Sequence, residues 1–250
     1  MEANKINKIA AIVPAAGLGK RFGTGQNKPL YVLLGKPLVV WALQALQSVA
    51  EISEIIPVVK EEDLKIIAEL VERYKISKAR HIIPGGAERQ DSVYNGLKAL
   101  DKETSVVVIH DGARPLVDSS LIKETILELQ GVDGVITGVP VKDTIKEVKK
   151  RRPAVAGRKQ SQNGMGSLVK KTLDRQVLRA IQTPQTFRTA TLLDAHERAR
   201  AEGLYATDDA ALIEHYGGSV KVIEGSYSNL KITTFEDVYF AEILYLKSCV

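Results

Sequence analysis

IVPAAGLGKRFGTGQNKPL, residues 12–30, joins the end of an apolar strand to four glycines and three cations within nineteen residues. The apolar residues 9–13 stop at a proline, as expected of a buried strand that leaves its sheet. The small residues that follow leave their backbone N–H groups uncovered, so these groups can surround an anion. Lys20, Arg21 and Lys28 add the positive charge that phosphate oxygens require. The stretch therefore predicts a polyphosphate-binding loop at the end of the first strand.

The loop matches neither of two common phosphate-binding motifs. The Walker motif requires G-x-x-x-x-G-K-[ST], and no glycine pair here is followed by Lys-Ser or Lys-Thr at that spacing. The dinucleotide-binding motif requires G-x-G-x-x-G, whereas Gly23 comes one residue too late after Gly17 and Gly19. A flexible turn would explain the glycines but not the three cations. The spacing argues against a P-loop nucleotidase and against a nicotinamide-dependent dehydrogenase.

Length and composition restrict the class of protein. The chain has 250 residues, of which 44% are hydrophobic, enough for one large α/β domain or two small ones with a sizeable core, and we expect one domain with an appendage. No apolar run approaches the about 18 residues of a membrane-spanning helix, and no cleavage site follows the first strand. The single cysteine, Cys249, excludes an internal disulfide. We therefore expect a soluble, cytoplasmic protein without a membrane partner.

The net charge of +5 is concentrated in one segment. Residues 142–175 contain eleven cations and three anions, so the rest of the chain is slightly acidic. A solvated basic arm is one interpretation, and a nucleic-acid-binding module that uses residues 149–171 is the alternative from another functional class. Because no aromatic residue lies in the basic segment to stack on unpaired bases, we favour the solvated arm.

Strand and helix patterns alternate along the first 141 residues. The patterns predict strands at 55–59, 81–83, 106–109 and 134–141 and helices at 37–48, 63–74, 93–100 and 121–129. This order favours a Rossmann-like α/β fold, with a mostly parallel sheet covered by helices on both faces. Ligands of such sheets bind beyond the carboxyl ends of the strands. Three predicted strand ends carry glycines or charged residues: 15–21, 85–92 and 111–114.

The pattern changes after residue 141. Turn-forming residues and cations between 142 and 171 predict an excursion from the sheet in the form of a hairpin arm. The chain then returns with a strand at 177–181 and a turn at 183–185. Further predicted elements are helices at 189–202 and 208–216, the second capped by Thr207, strands at 220–223 and 230–232, and a last helix that opens at Thr234.

Several polar residues at the predicted strand ends are open to two interpretations. The segment GGAERQDSV at 85–93 either holds a base and a ribose or is a loop with a helix cap. Asp111 either binds Mg²⁺ together with a triphosphate or forms an ion pair with Arg114. We interpret His110 as structural, the pair Asp208–Asp209 as helix capping rather than a metal site, and Lys231 as a solvated strand residue.

Seven short motifs follow one another between residue 9 and the last helix. They are A-A-G-x-G-x-R at 15–21 with Lys28-Pro29, G-G-x-x-R-x-D-S-V at 85–93, H-D-x-A-R-P at 110–115, P-V-x-D-T at 140–144, D-R at 174–175, T-P-Q at 183–185 and N-x-K at 229–231. In this order the set resembles the 2-C-methyl-D-erythritol 4-phosphate cytidylyltransferase family. The resemblance implies a nucleotidyltransferase-like fold. It also implies Mg²⁺-dependent transfer of a cytidylyl group from CTP to methylerythritol phosphate, with release of pyrophosphate, in non-mevalonate isoprenoid precursor biosynthesis.

The same resemblance implies roles for individual residues. Those that would bind the nucleotide are Ala15, Ala16, Gly17, Leu18, Gly19, Lys28, Gly85, Gly86, Arg89, Ser92 and Asp111. Those that would be catalytic are Arg21, Lys28, Arg175 and Lys231. Those that would bind the methylerythritol phosphate are Asp111, Arg114, Thr144, Arg175, Thr183 and Lys231, and Asp111 would also bind the metal.

The resemblance further implies a homodimer formed by a single domain of residues 1–250. Residues 141–182 would protrude as a β-arm that reaches into the neighbouring subunit and completes its substrate site. The chain departs from the family in that residues 149–169 form a longer segment than the usual arm and that Ser228 replaces an Asp of some members. The alternative is a ribitol-5-phosphate cytidylyltransferase, which shares the fold and the loop but tends to differ at 110–115.

Overall fold

The computed structural model describes residues 8–17, 22, 27–149 and 167–248. The chain divides into two compact units: unit 1, Met1–Gly138 with Ile181–Val250, and unit 2, Val139–Ala180. The interpretation of residues 1–250 as one domain with a dimerisation arm at 141–182 stays a prediction.

Eleven strands and seven α-helices occur among the described residues. The strands are β1 (Ile9–Pro14), β2 (Val32–Leu33), β3 (Lys36–Pro37), β4 (Ile52–Val59), β5 (Ile83–Pro84), β6 (Val106–Ile109), β7 (Gly134–Pro140), β8 (Lys146–Val148), β9 (Val169–Thr172), β10 (Arg179–Arg188) and β11 (Val220–Glu224). The helices are α1 (Leu38–Gln47), α2 (Leu64–Arg73), α3 (Arg89–Ala99), α4 (Ser119–Leu127), α5 (Thr189–Glu202), α6 (Asp209–His215) and α7 (Glu236–Ser248). Over these described ranges, no helix has the length and apolar content needed to cross a membrane.

A seven-stranded sheet forms the centre of the fold. Its strand order is β11-β7-β10-β6-β1-β4-β5. Strand β1 lies parallel to both β4 and β6, β4 is parallel to β5, and β11 is parallel to β7, whereas β10 runs antiparallel to β6. The predicted α/β fold with a mostly parallel sheet is confirmed.

Helices cover both faces of this sheet. Because successive side chains of a strand point to opposite faces, β1 contributes to two different cores. Its Ala11 and Val13 belong to one core with Leu43 of α1, Ile67 of α2 and Ile122 of α4. Its Ile12 belongs to the other with Leu97 of α3, Leu192 of α5 and Leu212 of α6. Strand β1, buried on both sides, lies between β6 and β4, so the residues that follow Pro14 begin beyond the carboxyl ends of these parallel strands.

The structure corrects several local predictions. The predicted turn at 183–185 lies inside β10, because Gln185 and Thr186 pair with Ile109 and Val108 of β6. The predicted strand at 230–232 is irregular, since the N–H of Ile232 donates to Ala113 in the loop after β6. Helix α6 is capped by Asp208, whose side chain accepts from the N–H of Ala211, and not by Thr207.

Unit 2 contains an antiparallel pair of strands, β8 and β9. Beyond them, Asp174 caps a short 3₁₀ helix at Arg175–Val177 by accepting from the N–H of Gln176. Most of the basic segment 149–171, considered above for nucleic acid, lies outside the described residues, so that hypothesis stays a prediction.

Candidate active site

A cleft of about 790 Å³ in unit 1 lies beyond the carboxyl ends of β1, β4, β5 and β6. Its lining residues are Pro14, Ala15, Ala16, Gly17, Lys28, Pro29, Lys60, Glu61, Glu62, Gly85, Gly86, Ala87, Glu88, Arg89, Ser92, Asp111, Ala113, Lys231 and Thr233. The cleft thus combines the three strand ends at which the sequence predicts ligand binding with three lysines from other parts of the chain, Lys28, Lys60 and Lys231.

Ten of the predicted site residues therefore share one cleft. Two more, Arg114 and Thr183, are buried beside Asp111. Thr144 and Arg175 belong to unit 2 and are exposed there, and the guanidinium of Arg175 donates to the carbonyl of Lys142 at 2.7 Å. Leu18, Gly19 and Arg21 lie outside the described residues. The roles implied for all these residues stay predictions.

Two loops meet closely at the floor of the cleft. The N–H groups of Ala15 and Gly85 donate to the carbonyls of Val58 and Val59 at 2.7 Å each, so neighbouring residues of β4 anchor both loops. A Cβ on Gly85 would lie 2.8 Å from Oγ of Ser92 and closer still to Cβ of Ala16, so only glycine fits there. The missing side chain brings the two backbones together.

The 85–92 segment is both a lining loop and a helix cap. Glu88 is the N-cap of α3 and forms a capping box with Asp91. The hydroxyl of Ser92 accepts from the N–H of Gly86 and donates to the carbonyl of Glu88, both at 3.1 Å. Ser92 therefore shapes the loop, while Gly85, Gly86 and Arg89 line the cleft.

Asp111 follows β6 and is only 6% exposed. Its Oδ1 accepts from Nε of Arg89 at 3.2 Å and its Oδ2 from Nζ of Lys231 at 2.7 Å, while Nε of Arg114 lies 3.8 Å from Oδ2. Burial by itself would raise the pKa of this carboxyl, but the charges of Arg89, Lys231 and Arg114 hold the pKa well below its usual range. Asp111 is therefore ionised at neutral pH.

A buried hydrogen-bond network fixes the turn that carries Asp111. Nε2 of His110 lies 3.2 Å from the carbonyl oxygen of Arg114, which can only accept, so Nε2 carries the proton. Nδ1 then accepts from the hydroxyl of Thr183 at 3.1 Å, and this hydroxyl accepts from the N–H of Asp111 at 3.0 Å. Complete burial lowers the pKa of His110 to about 4, which keeps the ring neutral. Thr183 and His110 thus act on the site by orienting Asp111.

Three lysines line the cleft: Lys28, Lys60 and Lys231. Lys28 opens the 3₁₀ helix Lys28–Leu30, and its Nζ donates to the carbonyl of Ile232 at 3.2 Å. Lys231 precedes that carbonyl in the chain and contacts Asp111. The side chain of Lys231 is 40% exposed, as expected of a solvated lysine, but an ion-pair partner 120 residues away holds it at the cleft and the residue lies in no strand. Only the motif order indicated its importance.

Sequence reasoning missed two buried residues behind the cleft. Nη1 of Arg89 donates to Oδ2 of Asp209 at 2.7 Å, and Nε2 of His196 lies 3.2 Å from Oδ1 of the same carboxylate. The neighbouring Asp208 caps α6, as the capping interpretation predicts, but Asp209 turns inward to Arg89. A cation 120 residues away leaves no local signal in the sequence.

The residues around Asp111 can hold Mg²⁺ only if phosphate oxygens of a bound nucleotide supply further ligands. Over the described residues, no group of three or more His, Cys, Asp or Glu side chains is arranged to hold a metal. Each oxygen of Asp111 already accepts one hydrogen bond, which leaves further lone pairs for a cation. The three neighbouring cations repel a bare Mg²⁺ ion, whereas a triphosphate would offset their charge and supply further ligands.

Comparison with known proteins agrees with the motif order. The model of the family "2-C-methyl-D-erythritol 4-phosphate cytidylyltransferase" matches residues 9–247. The chain belongs to this family. A curated member from Bacillus cytotoxicus is 42% identical over 231 residues, which cover 92% of this chain and 95% of the relative. The resemblance noted in the sequence is therefore confirmed.

Solved structures of the family agree with the fold. A 4-diphosphocytidyl-2C-methyl-D-erythritol synthase from Anaerococcus prevotii superimposes with a TM-score of 0.80 at 33% identity, covering 96% of both chains. The 2-C-methyl-D-erythritol 4-phosphate cytidylyltransferase from Thermus thermophilus gives a TM-score of 0.73 at 29% identity, covering 95% of this chain and 98% of that one. Membership confirms the nucleotidyltransferase-like fold and makes the chain an enzyme, a CTP-dependent cytidylyltransferase.

Proposed function

We propose that this enzyme joins CTP to 2-C-methyl-D-erythritol 4-phosphate, giving 4-diphosphocytidyl-2-C-methyl-D-erythritol and pyrophosphate. The observation that carries the proposal is the cleft that brings Lys28, Arg89 and Lys231 together with the ionised Asp111, in a chain of this family. Small residues at Ala15–Gly17 and Gly85–Gly86 line the cleft and leave room for phosphates and a base, with Lys28 and Lys231 beside them.

The chemistry of the cleft suits direct transfer between phosphates. A phosphate oxygen of methylerythritol phosphate attacks the α-phosphorus of CTP, and the bond from that phosphorus to the bridging oxygen breaks as pyrophosphate leaves. This substitution needs alignment and positive charge, and it needs no covalent nucleophile from the protein. We propose that Lys28 and Lys231, which line the cleft, stabilise the negative charge that accumulates. We propose the same role for Arg21, on the basis of its motif position alone.

We also propose that Mg²⁺ takes part and that Asp111 is its protein ligand. Bound Mg²⁺ would neutralise the charge of the triphosphate and of the leaving group. Asp111 contributes a carboxylate whose pKa is depressed, so it remains available as an anion over the whole physiological range. Arg89 and Lys231, which contact that carboxylate, would hold its orientation while the nucleotide enters.

A pyrophosphate-release assay tests the proposal. Purified enzyme, CTP and Mg²⁺ would be mixed with methylerythritol 4-phosphate or with ribitol 5-phosphate in parallel. We expect release with the first alcohol phosphate and at most a trace with the second. Release with ribitol phosphate alone would overturn the assignment of the acceptor, and no release with either would overturn the proposed reaction.

We further propose a homodimer in which Thr144 and Arg175 of one subunit complete the acceptor site of the other. Both residues are exposed in unit 2, where they are free to meet a second copy of the chain. Mixing two inactive variants, Lys28→Met and Arg175→Met, tests this arrangement. Exchange of subunits would produce mixed dimers with one intact site, restoring about a quarter of wild-type activity. No recovery in a mixture shown to exchange subunits would overturn the shared site.

A further inference from the structure

A chain of buried charged and polar side chains runs from helix α5 to the cleft. His196 of α5 and Asp209 of α6 have side chains that are 0% and 1% exposed. Asp209 accepts from Nη1 of Arg89, and Nε of the same guanidinium donates to Asp111. Arg89 lines the cleft, whereas His196 and Asp209 lie behind it. The guanidinium is thus clamped between two carboxylates from different elements.

The clamp leaves one donor of Arg89 unused. Nη2 of Arg89 is buried and has no hydrogen-bond partner within the described part of the chain. A guanidinium is planar, so fixing Nη1 and Nε also fixes the direction in which Nη2 points. Arg89 lines the cleft, so an acceptor on a nucleotide bound there would meet a guanidinium that is already ordered and would cost little further side-chain entropy.

His196 decides which way the Asp209 carboxylate faces. A carboxylate oxygen only accepts, so Nε2 of His196 is the protonated nitrogen in its contact with Oδ1. With Oδ1 held by the ring, Oδ2 is left for Arg89. Tyr94 stacks on the His196 ring at 6.3 Å between centroids, which restrains the ring in turn.

We infer that Asp209, oriented by His196, is a positioning residue that fixes the Arg89 guanidinium for nucleotide binding. This inference rests on the proposed function, since it adds a residue behind the same cleft. Without Asp209, the freed Nη1 of Arg89 would turn to Asp111, the nearest remaining carboxylate, and Nη2 would lose its fixed direction. The affinity for CTP would therefore fall, whereas the affinity for the acceptor phosphate would not change.

Steady-state kinetics with CTP and acceptor varied separately test the role. In Asp209→Asn we expect the KM for CTP to rise about tenfold, the effect of one charge-assisted hydrogen bond, while the KM for the acceptor stays within about twofold. Calorimetry of CTP binding to the free enzyme should show a loss of affinity of the same size. Asp194→Asn, at an exposed residue of α5 that pairs with Arg198 at 3.6 Å, is the matched control and should leave both constants unchanged.

A double variant separates positioning from mere stability. Arg89→Met should raise the KM for CTP as Asp209→Asn does, and Arg89→Met/Asp209→Asn should be no worse than Arg89→Met, because both act through one guanidinium. The double variant also removes both buried charges together, so it should fold even where Asp209→Asn does not. His196→Gln keeps an N–H donor toward Asp209 and should bind CTP more tightly than His196→Leu.

Three results would overturn the inference. They are an unchanged KM for CTP in folded Asp209→Asn, additive losses in the double variant, and equal CTP affinity of the two His196 variants. A wild-type enzyme that binds CTP but does not transfer it would refute the proposed function alone, and calorimetry would still decide the role of Asp209. A wild-type enzyme that does not bind CTP would refute both.

Discussion

Replacing Asp111 by Asn should destabilise the folded chain markedly. The change preserves the shape of the side chain but removes the anion that faces Arg89, Lys231 and Arg114 at 3.2, 2.7 and 3.8 Å. Removing one partner of a buried ion pair costs about 3 kcal/mol, because it leaves the remaining charges uncompensated. Arg89 gives the largest of the three attractions that are lost, followed by Lys231 and Arg114, and solvent screens part of the contribution of Lys231, whose side chain is 40% exposed.

Thermal unfolding as a function of pH measures this effect. For a chain of this size about 3 °C corresponds to 1 kcal/mol, so Asp111→Asn should lower the Tm by about 9 °C at pH 7. The folded pKa of Asp111 lies below its ordinary value of 3.8. Its contribution is therefore complete above that pH and is lost as the pH falls below it, so the two proteins should converge in acid.

The matched control for Asp111→Asn is Asp101→Asn. Asp101→Asn removes an exposed carboxylate that pairs with Lys8 at 2.9 Å and should change the Tm far less. A Tm for Asp111→Asn equal to that of the wild type at pH 7 would refute the view that three cations are balanced by this one anion. A difference that persists unchanged below pH 3 would show that the loss is not electrostatic.

Three further predictions follow from the same cleft. As the pH is lowered from 6.5 to about 4, the unfolding free energy should fall by about 3 kcal/mol, because His110 is neutral in the folded chain and protonated in the unfolded chain. Urea unfolding at each pH measures this, and His110→Asn should lack the pH-dependent loss of stability. Mg²⁺ should give saturable heat in calorimetry only after CTP is bound, and binding to the free enzyme that Asp111→Asn abolishes would contradict this. Lys28→Met should lower kcat about 100-fold with a smaller change in the KM for CTP, and a kcat within twofold of wild type would exclude a role in the transition state.

Sequence patterns predicted the framework of the sheet well because its signals are local. A stretch of about ten residues is enough to recognise each of three features: the buried strand β1, the amphipathic helix α2 and the glycine pair at 85–86. The turn predicted at 183–185 failed for the opposite reason. Its proline signal is local, but the pairing of Gln185 and Thr186 with β6 depends on residues far away in the chain.

The candidate site was predictable only in part. Glycines and cations at strand ends indicated a phosphate-binding cleft, and motif order supplied Lys231, which its own surroundings did not distinguish. The partners of Arg89 were not predictable, because Asp209 comes from an element 120 residues away and resembles an ordinary helix cap. Ion pairs between distant segments appear only once the fold has brought them together.

The contact between Gly85 and Ala16 limits how such a protein can diverge. One extra methyl group at position 85 has no room while position 16 already carries one. A mutational library that varies position 85 alone should therefore lose most of its members. The double variant Ala16→Gly/Gly85→Ala moves the methyl group from one loop to the other. It should be tolerated better than Gly85→Ala alone, because it removes the contact with the Cβ of Ala16.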